Sequence, residues 1–132
     1  MTRHEMRECI FCLLFQNEFY TTEEFAEQRD NYLGELQIKE KEQQEILQKL
    51  EKLITFLPDI DEKISQHSKG WKIDRIAKAE LAILRVAVYE AVYDDSVPVG
   101  VAVNEAVELA KQYGEEGGPS FVNGILGKIV NE

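Results

Sequence analysis

A chain of 132 residues with 44% apolar and 30% charged side chains is long enough for one globular domain with an ordinary core. Its net charge of −10 repels nucleic acid and anionic membrane surfaces at long range, so any RNA or DNA binding must come from a local basic patch or a basic partner. Cys9 and Cys12 lie inside an apolar helical pattern, which implies no disulfide framework and fits a reducing compartment. The longest apolar run, Cys9 to Phe15, is too short to span a bilayer and lacks the flanks of a signal peptide, so a cytoplasmic protein is expected.

Residues 3–17 repeat Met6, Cys9, Ile10, Leu13 and Leu14 at helical spacing, with Phe11 and Phe15 as a second stripe. Asn17 to Tyr20 breaks the pattern. Thr21 and Glu24 then have the spacing of a capping box, placing the next helix start near Thr22, with Phe25, Tyr32, Leu33 and Leu36 on its apolar side. A third helix is expected from Lys39 to Leu57, striped by Ile46, Leu50, Leu53 and Leu57 and widened by Leu47 and Ile54. Leu57-Pro58-Asp59 reads as a stop followed by a start, with Asp59 as cap and Ile60 and Ile64 turned inward. His67 to Gly70 is the clearest linker, dividing a helical half over 1–67 from a second over 71–132 within one domain.

From Trp71 to Gly114 the chain is at its least polar. One central helix is expected from Lys72 to Tyr93, carrying Ile73, Ile76, Ala77, Leu81, Leu84, Val88, Ala91 and Val92. Asp94 to Pro98 turns the chain. Val99, Val103, Ala106, Val107 and Ala110 should face inward on the next helix, which Gly114 ends. After the Glu115–Gly118 loop, Pro119 opens a last helix lined by Phe121, Val122, Ile125, Leu126, Ile129 and Val130. Gly124 and Gly127 are costly inside a helix, and close packing on a neighbour would explain them. No segment has a strand period. The expected fold is all-α, with about seven helices in two packed halves.

Catalytic chemistry finds little support. Cys9-x-x-Cys12 has redox or metal spacing but neither a βαβ context nor a second ligand pair, and two core cysteines are the simpler reading. His4 and His67 lack ligand partners in the sequence. Gly117-Gly118-Pro119-Ser120 could cradle phosphate at a helix start, yet it lacks the P-loop lysine, and Glu115 and Glu116 oppose an anion. Neither a catalytic residue, a metal site nor a cofactor is assigned. A small basic spot remains at Arg3, His4 and Arg7, with the two arginines one turn apart, although Glu5 and Glu8 offset them.

The blocks AELAILRVAVYE, VPVGVAVNEAVELAKQYG and SFVNGILGKI, with RHEMRE and LLFQ near the start, closely resemble the NusB family of bacterial transcription antitermination factors. The spacing between blocks also matches, so the resemblance spans essentially the whole chain. It implies a non-enzymatic, all-helical protein that pairs with ribosomal protein S10 (NusE). The pair would bind the single-stranded boxA element of nascent RNA and join other Nus factors on RNA polymerase, promoting processive transcription of ribosomal RNA operons. The family's RNA-touching regions map onto Arg3, His4 and Arg7, and onto Tyr113, Ser120, Phe121 and Asn123; its S10-facing side maps near Glu80. For Phe121 a core anchor is an equal alternative, for Asn123 a loop brace, and for Glu80 a solvated edge. The competing function is a protein-interaction module of the same fold with little RNA binding of its own. NusB-like proteins include monomers and dimers, and a homodimer could hide the RNA face.

Overall fold

A computed structural model describes residues 1–18, 21–68 and 72–132, with Thr22 described by its backbone only. Tyr20 in the first expected break, Lys69 and Gly70 in the expected linker, and Trp71 at the head of the central stretch lie outside the described residues. Among those described there are seven α-helices, one 3-10 turn, one π-helical segment and no strand. No described helix is long and apolar enough to cross a membrane. The chain groups into two compact units, Met1–Lys52 and Leu53–Glu132. The division therefore precedes the short helix ending at His67, which the sequence reading had placed in the first half.

In the first unit, α1 (Arg3–Asn17) packs on α2 (Thr22–Glu35). Both start with a complete capping box. The Thr2 hydroxyl accepts from the Glu5 amide at 3.0 Å while the Glu5 carboxyl accepts from the Thr2 amide at 2.9 Å, and Thr21 and Glu24 repeat the arrangement. Cys9, Ile10, Phe11, Leu13 and Leu14 are buried, as are Phe25 and Leu33 of α2. Leu36, expected on the apolar side, is 40% exposed just past the end of α2. Here the chain turns through Gln37, whose φ of 53° lies in the left-handed region. The helix α3 (Glu40–Thr55) begins in this unit, with Ile46 and Leu50 buried and Glu40 and Glu45 exposed.

The second unit is built on α5 (Lys78–Val88), against which α4 (Leu57–His67), α6 (Val99–Tyr113) and α7 (Gly118–Val130) all pack. Eight of the eleven α5 residues are buried. The single helix expected from Lys72 to Tyr93 is three pieces: a 3-10 turn at Ile73–Arg75, α5, and a π-helical segment at Tyr89–Tyr93. Extended backbone at Ile76 and Ala77 separates the first two. Periodicity missed this break because Ile76 and Ala77 keep the apolar spacing through it.

Pro58 sits near the start of α4 with Leu57 before it, so the break falls at Phe56. Asp59 lies in the first turn of α4 instead of capping it. Proline has no amide to contribute and suits the opening positions of a helix, which draws the start of α4 ahead of Asp59. Phe56 fills the corner, stacking on Tyr93 at 4.4 Å between ring centroids. Arg85 of α5 donates through Nε and Nη2 to both Asp61 carboxyl oxygens, each at 2.9 Å, fastening α4 to the central helix. His67 donates to the Glu132 carboxyl and Lys63 lies 3.7 Å from it, holding the last described residue against α4.

On α6 the buried stripe is Ala102, Ala106, Leu109 and Ala110; Val99 is 44% exposed and Val103 and Val107 are half-buried. Ala106 and Ala110 face inward as the sequence suggests, while Ala102 and Leu109 take the inward places expected of Val99, Val103 and Val107. The close packing expected of Gly124 and Gly127 is not seen: among the described residues nothing lies within 4 Å of a Cβ built at either.

Gly124 therefore carries the helix-propensity cost of glycine without a packing return. Gly124→Ala should raise unfolding stability by about 1 kcal/mol, measured by urea denaturation. An unchanged or lower midpoint would contradict the open surroundings of this position.

Candidate nucleic-acid interface

The functional residues expected near the end of the chain lie at the α6–α7 junction. Tyr113 is the last residue of α6 and is 38% exposed. Gly114 to Gly117 connects the helices, and the connection closes with the Gly118 amide donating to the Glu115 carbonyl at 2.9 Å. Gly117 takes φ 83° there, a left-handed conformation that glycine adopts without Cβ strain. Ser120 and Asn123 then stand exposed on the first turns of α7, while Phe121 is half-buried.

Three concavities meet along this edge. Ser120 and Asn123 line a polar cleft of about 580 Å³ with Asn104, Glu108 and Lys111. Ser120 and Phe121 line a second, of about 240 Å³, with His67, Gly124 and Lys128. Phe121 also borders a third, of about 540 Å³, with Arg75, Glu80 and Glu115 to Gly118. Phe121 thus has one side on α7 and another open to two clefts, where a ring can stack. Lys111 pairs with Glu108 at 3.2 Å, a surface contact that water and salt readily compete for. The sequence reading missed Arg75, Lys111 and Lys128 at this edge. Ser120, Gly124 and Lys128 recur every four residues, the spacing of one helical face, and that signal could have found the last of them.

Glu80 requires a correction. Expected near a partner-facing side, it is only 3% exposed, because α5 is enclosed here. Its Oε1 accepts from the Glu115 amide at 2.8 Å, and its Oε2 has no donor among the described residues. A Cβ at Gly118 would lie 2.7 Å from Oε1, and one at Gly114 would lie 3.1 Å from it. The carboxyl occupies the space those two glycines leave open.

The N-terminal basic spot lies in the first unit. Arg3 is exposed and His4 half-buried in the first turn of α1, with His4 Nε2 3.8 Å from Glu8. Arg7 is corrected: at 5% exposure, with interactions of its own, it offers no open guanidinium to a ligand. The helix is enclosed from this turn onward. Glu5 is held below its ordinary pKa by the amide and hydroxyl of Thr2, so the acid expected to offset Arg3 is engaged in the cap.

Cys9 is buried and Cys12 half-buried, both beside the Tyr32 side chain. Burial pushes the Cys9 thiol up to about 11, away from the thiolate that redox or metal chemistry requires. Among the described residues no group of three or more His, Cys, Asp or Glu is placed to hold a metal ion.

The His67 contact holds the Glu132 carboxyl below its ordinary value of 4.5. A depressed carboxyl contributes stability that is present above the unfolded value and is lost as pH falls through the folded one. In a carbon-detected NMR titration, Glu132 should show a midpoint below 4.5, and His67→Ala should move it upward. An unmoved midpoint would contradict the His67 contact.

A model of the NusB family matches residues 4–131. Transcription antitermination protein NusB of Lachnoclostridium phytofermentans is 46% identical over 132 residues, covering 99% of this chain and all of that one. Among solved structures, T. maritima NusB superposes with a TM-score of 0.85 at 32% identity, covering 100% of this chain and 92% of that one. A structure of antitermination factors NusB and NusE in complex with dsRNA superposes at 0.83 with 25% identity, covering 99% and 98%.

Proposed function

The chain belongs to the NusB family, and from that premise we propose that it is an RNA-binding transcription antitermination factor working as a pair with ribosomal protein S10. The pair binds single-stranded boxA RNA, joins other Nus factors on RNA polymerase, and keeps transcription of ribosomal RNA operons processive. The chain acts in the cytoplasm and catalyses no reaction. It forms one NusB-like domain. The full-length relationship to NusB proteins carries this reading.

The junction geometry supports it. Tyr113 and Phe121 offer ring surface for unstacked bases, and Ser120 and Asn123 offer exposed hydrogen-bonding groups to base edges or the RNA backbone. Arg3 and His4 supply the contacts of the α1 start, without an open Arg7. With a net charge of −10, this chain contributes shape and a few contacts, and the basic partner contributes most of the phosphate neutralisation.

Fluorescence anisotropy with a labelled boxA-type strand, over a salt series and with or without S10, tests the proposal. Binding should be weak alone and strengthen at least about tenfold with S10, falling as salt rises. Arg3→Ala should flatten the slope of log affinity against log salt by about 0.7, the share of one phosphate contact on a single strand. S10 that gives no gain would overturn the pairing. Binding confined to duplex RNA would overturn the single-strand preference. Tyr113→Ala should weaken RNA binding several-fold while changing unfolding stability by less than about 0.5 kcal/mol, as expected of a surface position.

A further inference from the structure

The path of the α6–α7 connection is referenced to the centre of the second unit by one side chain. Glu80 reaches out from α5 and accepts the Glu115 amide at 2.8 Å. Gly114 and Gly118 flank the carboxyl so closely that a side chain at Gly118 would displace it. The connection is only four residues long, and Tyr113 stands at one end of it with Ser120 and Phe121 just past the other. A shift at Glu115 therefore changes the spacing between Tyr113 and the Ser120–Phe121 pair.

We propose that Glu80 is the positioning residue of the RNA-facing edge, acting through the Glu115 amide and the two-glycine cradle instead of by contact with a ligand. The proposal rests on the reading of that edge as RNA-facing. Its physical basis is enclosure: at 3% exposure, water competes little for the Glu80–Glu115 hydrogen bond, so the bond fixes the loop more firmly than a surface contact would. Glutamine keeps an oxygen acceptor in the same place. Alanine removes it and enlarges the neighbouring cleft, which Glu80 lines. Gly118→Ala leaves the carboxyl on the chain but pushes Oε1 from its seat.

The experiment uses the full chain with S10 and compares E80Q, E80A and G118A with wild type. Amide hydrogen exchange at Glu115 reports the latch, exchange at Leu84 in the α5 core reports global stability, and anisotropy reports RNA and S10 binding. E80A and G118A should speed Glu115 exchange by about tenfold, with Leu84 changed far less, and should weaken RNA binding by roughly five- to tenfold, the scale of one hydrogen bond. E80Q should stay within about twofold of wild type in all readouts. If E80A fails to fold, E80Q and G118A decide the matter.

Wild-type RNA binding with unchanged Glu115 exchange in E80A or G118A overturns the positioning role alone. So does an E80Q that loses RNA or S10 binding while Glu115 stays protected, because the carboxyl would then be read directly by a ligand. A wild-type pair that binds no RNA overturns the functional reading beneath the proposal.

Discussion

Enclosure of α5 is the constraint on which the second unit depends. Ile83, Leu84 and Val88 are fully buried, and Ala82, Val86 and Ala87 nearly so. Burying a side chain of the Val, Leu or Ile class contributes about 1.5–3 kcal/mol, so this helix gathers a large share of the unit's hydrophobic stabilisation. A helix surrounded on most sides gives every neighbour the same reference. Its polar residues then have few places to go, and two of them become fasteners: Arg85 holds Asp61 of α4, and Glu80 holds the start of the α6–α7 connection. The edge formed by exposed Tyr113 and Ser120 and half-buried Phe121 is thereby tied to the least exposed part of the unit.

Electrostatics divides the work between this chain and its proposed partner. A chain of net charge −10 cannot gather RNA by long-range attraction. The α6–α7 edge carries aromatic, hydroxyl and amide groups with a few lysines nearby, a composition suited to short-range recognition. Pairing with a basic protein would supply the missing field. Such a division makes RNA affinity conditional on the pair, so this chain alone would not occupy RNA indiscriminately.

Much of the fold was legible because local chemistry and packing agree. Thr21 with Glu24, the proline near the start of α7, and Gly114 after α6 each marked a boundary within a residue or two. Legibility failed where an apolar pattern ran through a backbone change, as at Ile76 and Ala77, or where small residues took the inward face, as on α6. The candidate site was harder. Resemblance to a family block singles out Glu80 but does not say that its carboxyl points into the unit, since an isolated acid in a helix ordinarily reads as solvated. Arg7 misled for the same reason, because helical spacing places it beside Arg3 without revealing that the enclosure of α1 begins there. Glycines 124 and 127 carried a packing expectation that sequence could not remove, yet no described residue packs where their Cβ would stand.

In the proposed pair with S10, the α6–α7 edge faces single-stranded RNA. Photo-crosslinking a boxA-type strand carrying 4-thiouridine to the assembled pair, followed by mass spectrometric mapping, tests it most directly. Crosslinks are expected on Tyr113 and Phe121, strengthened by S10. Efficient crosslinking confined to residues outside Tyr113–Lys128 and the start of α1 would contradict it.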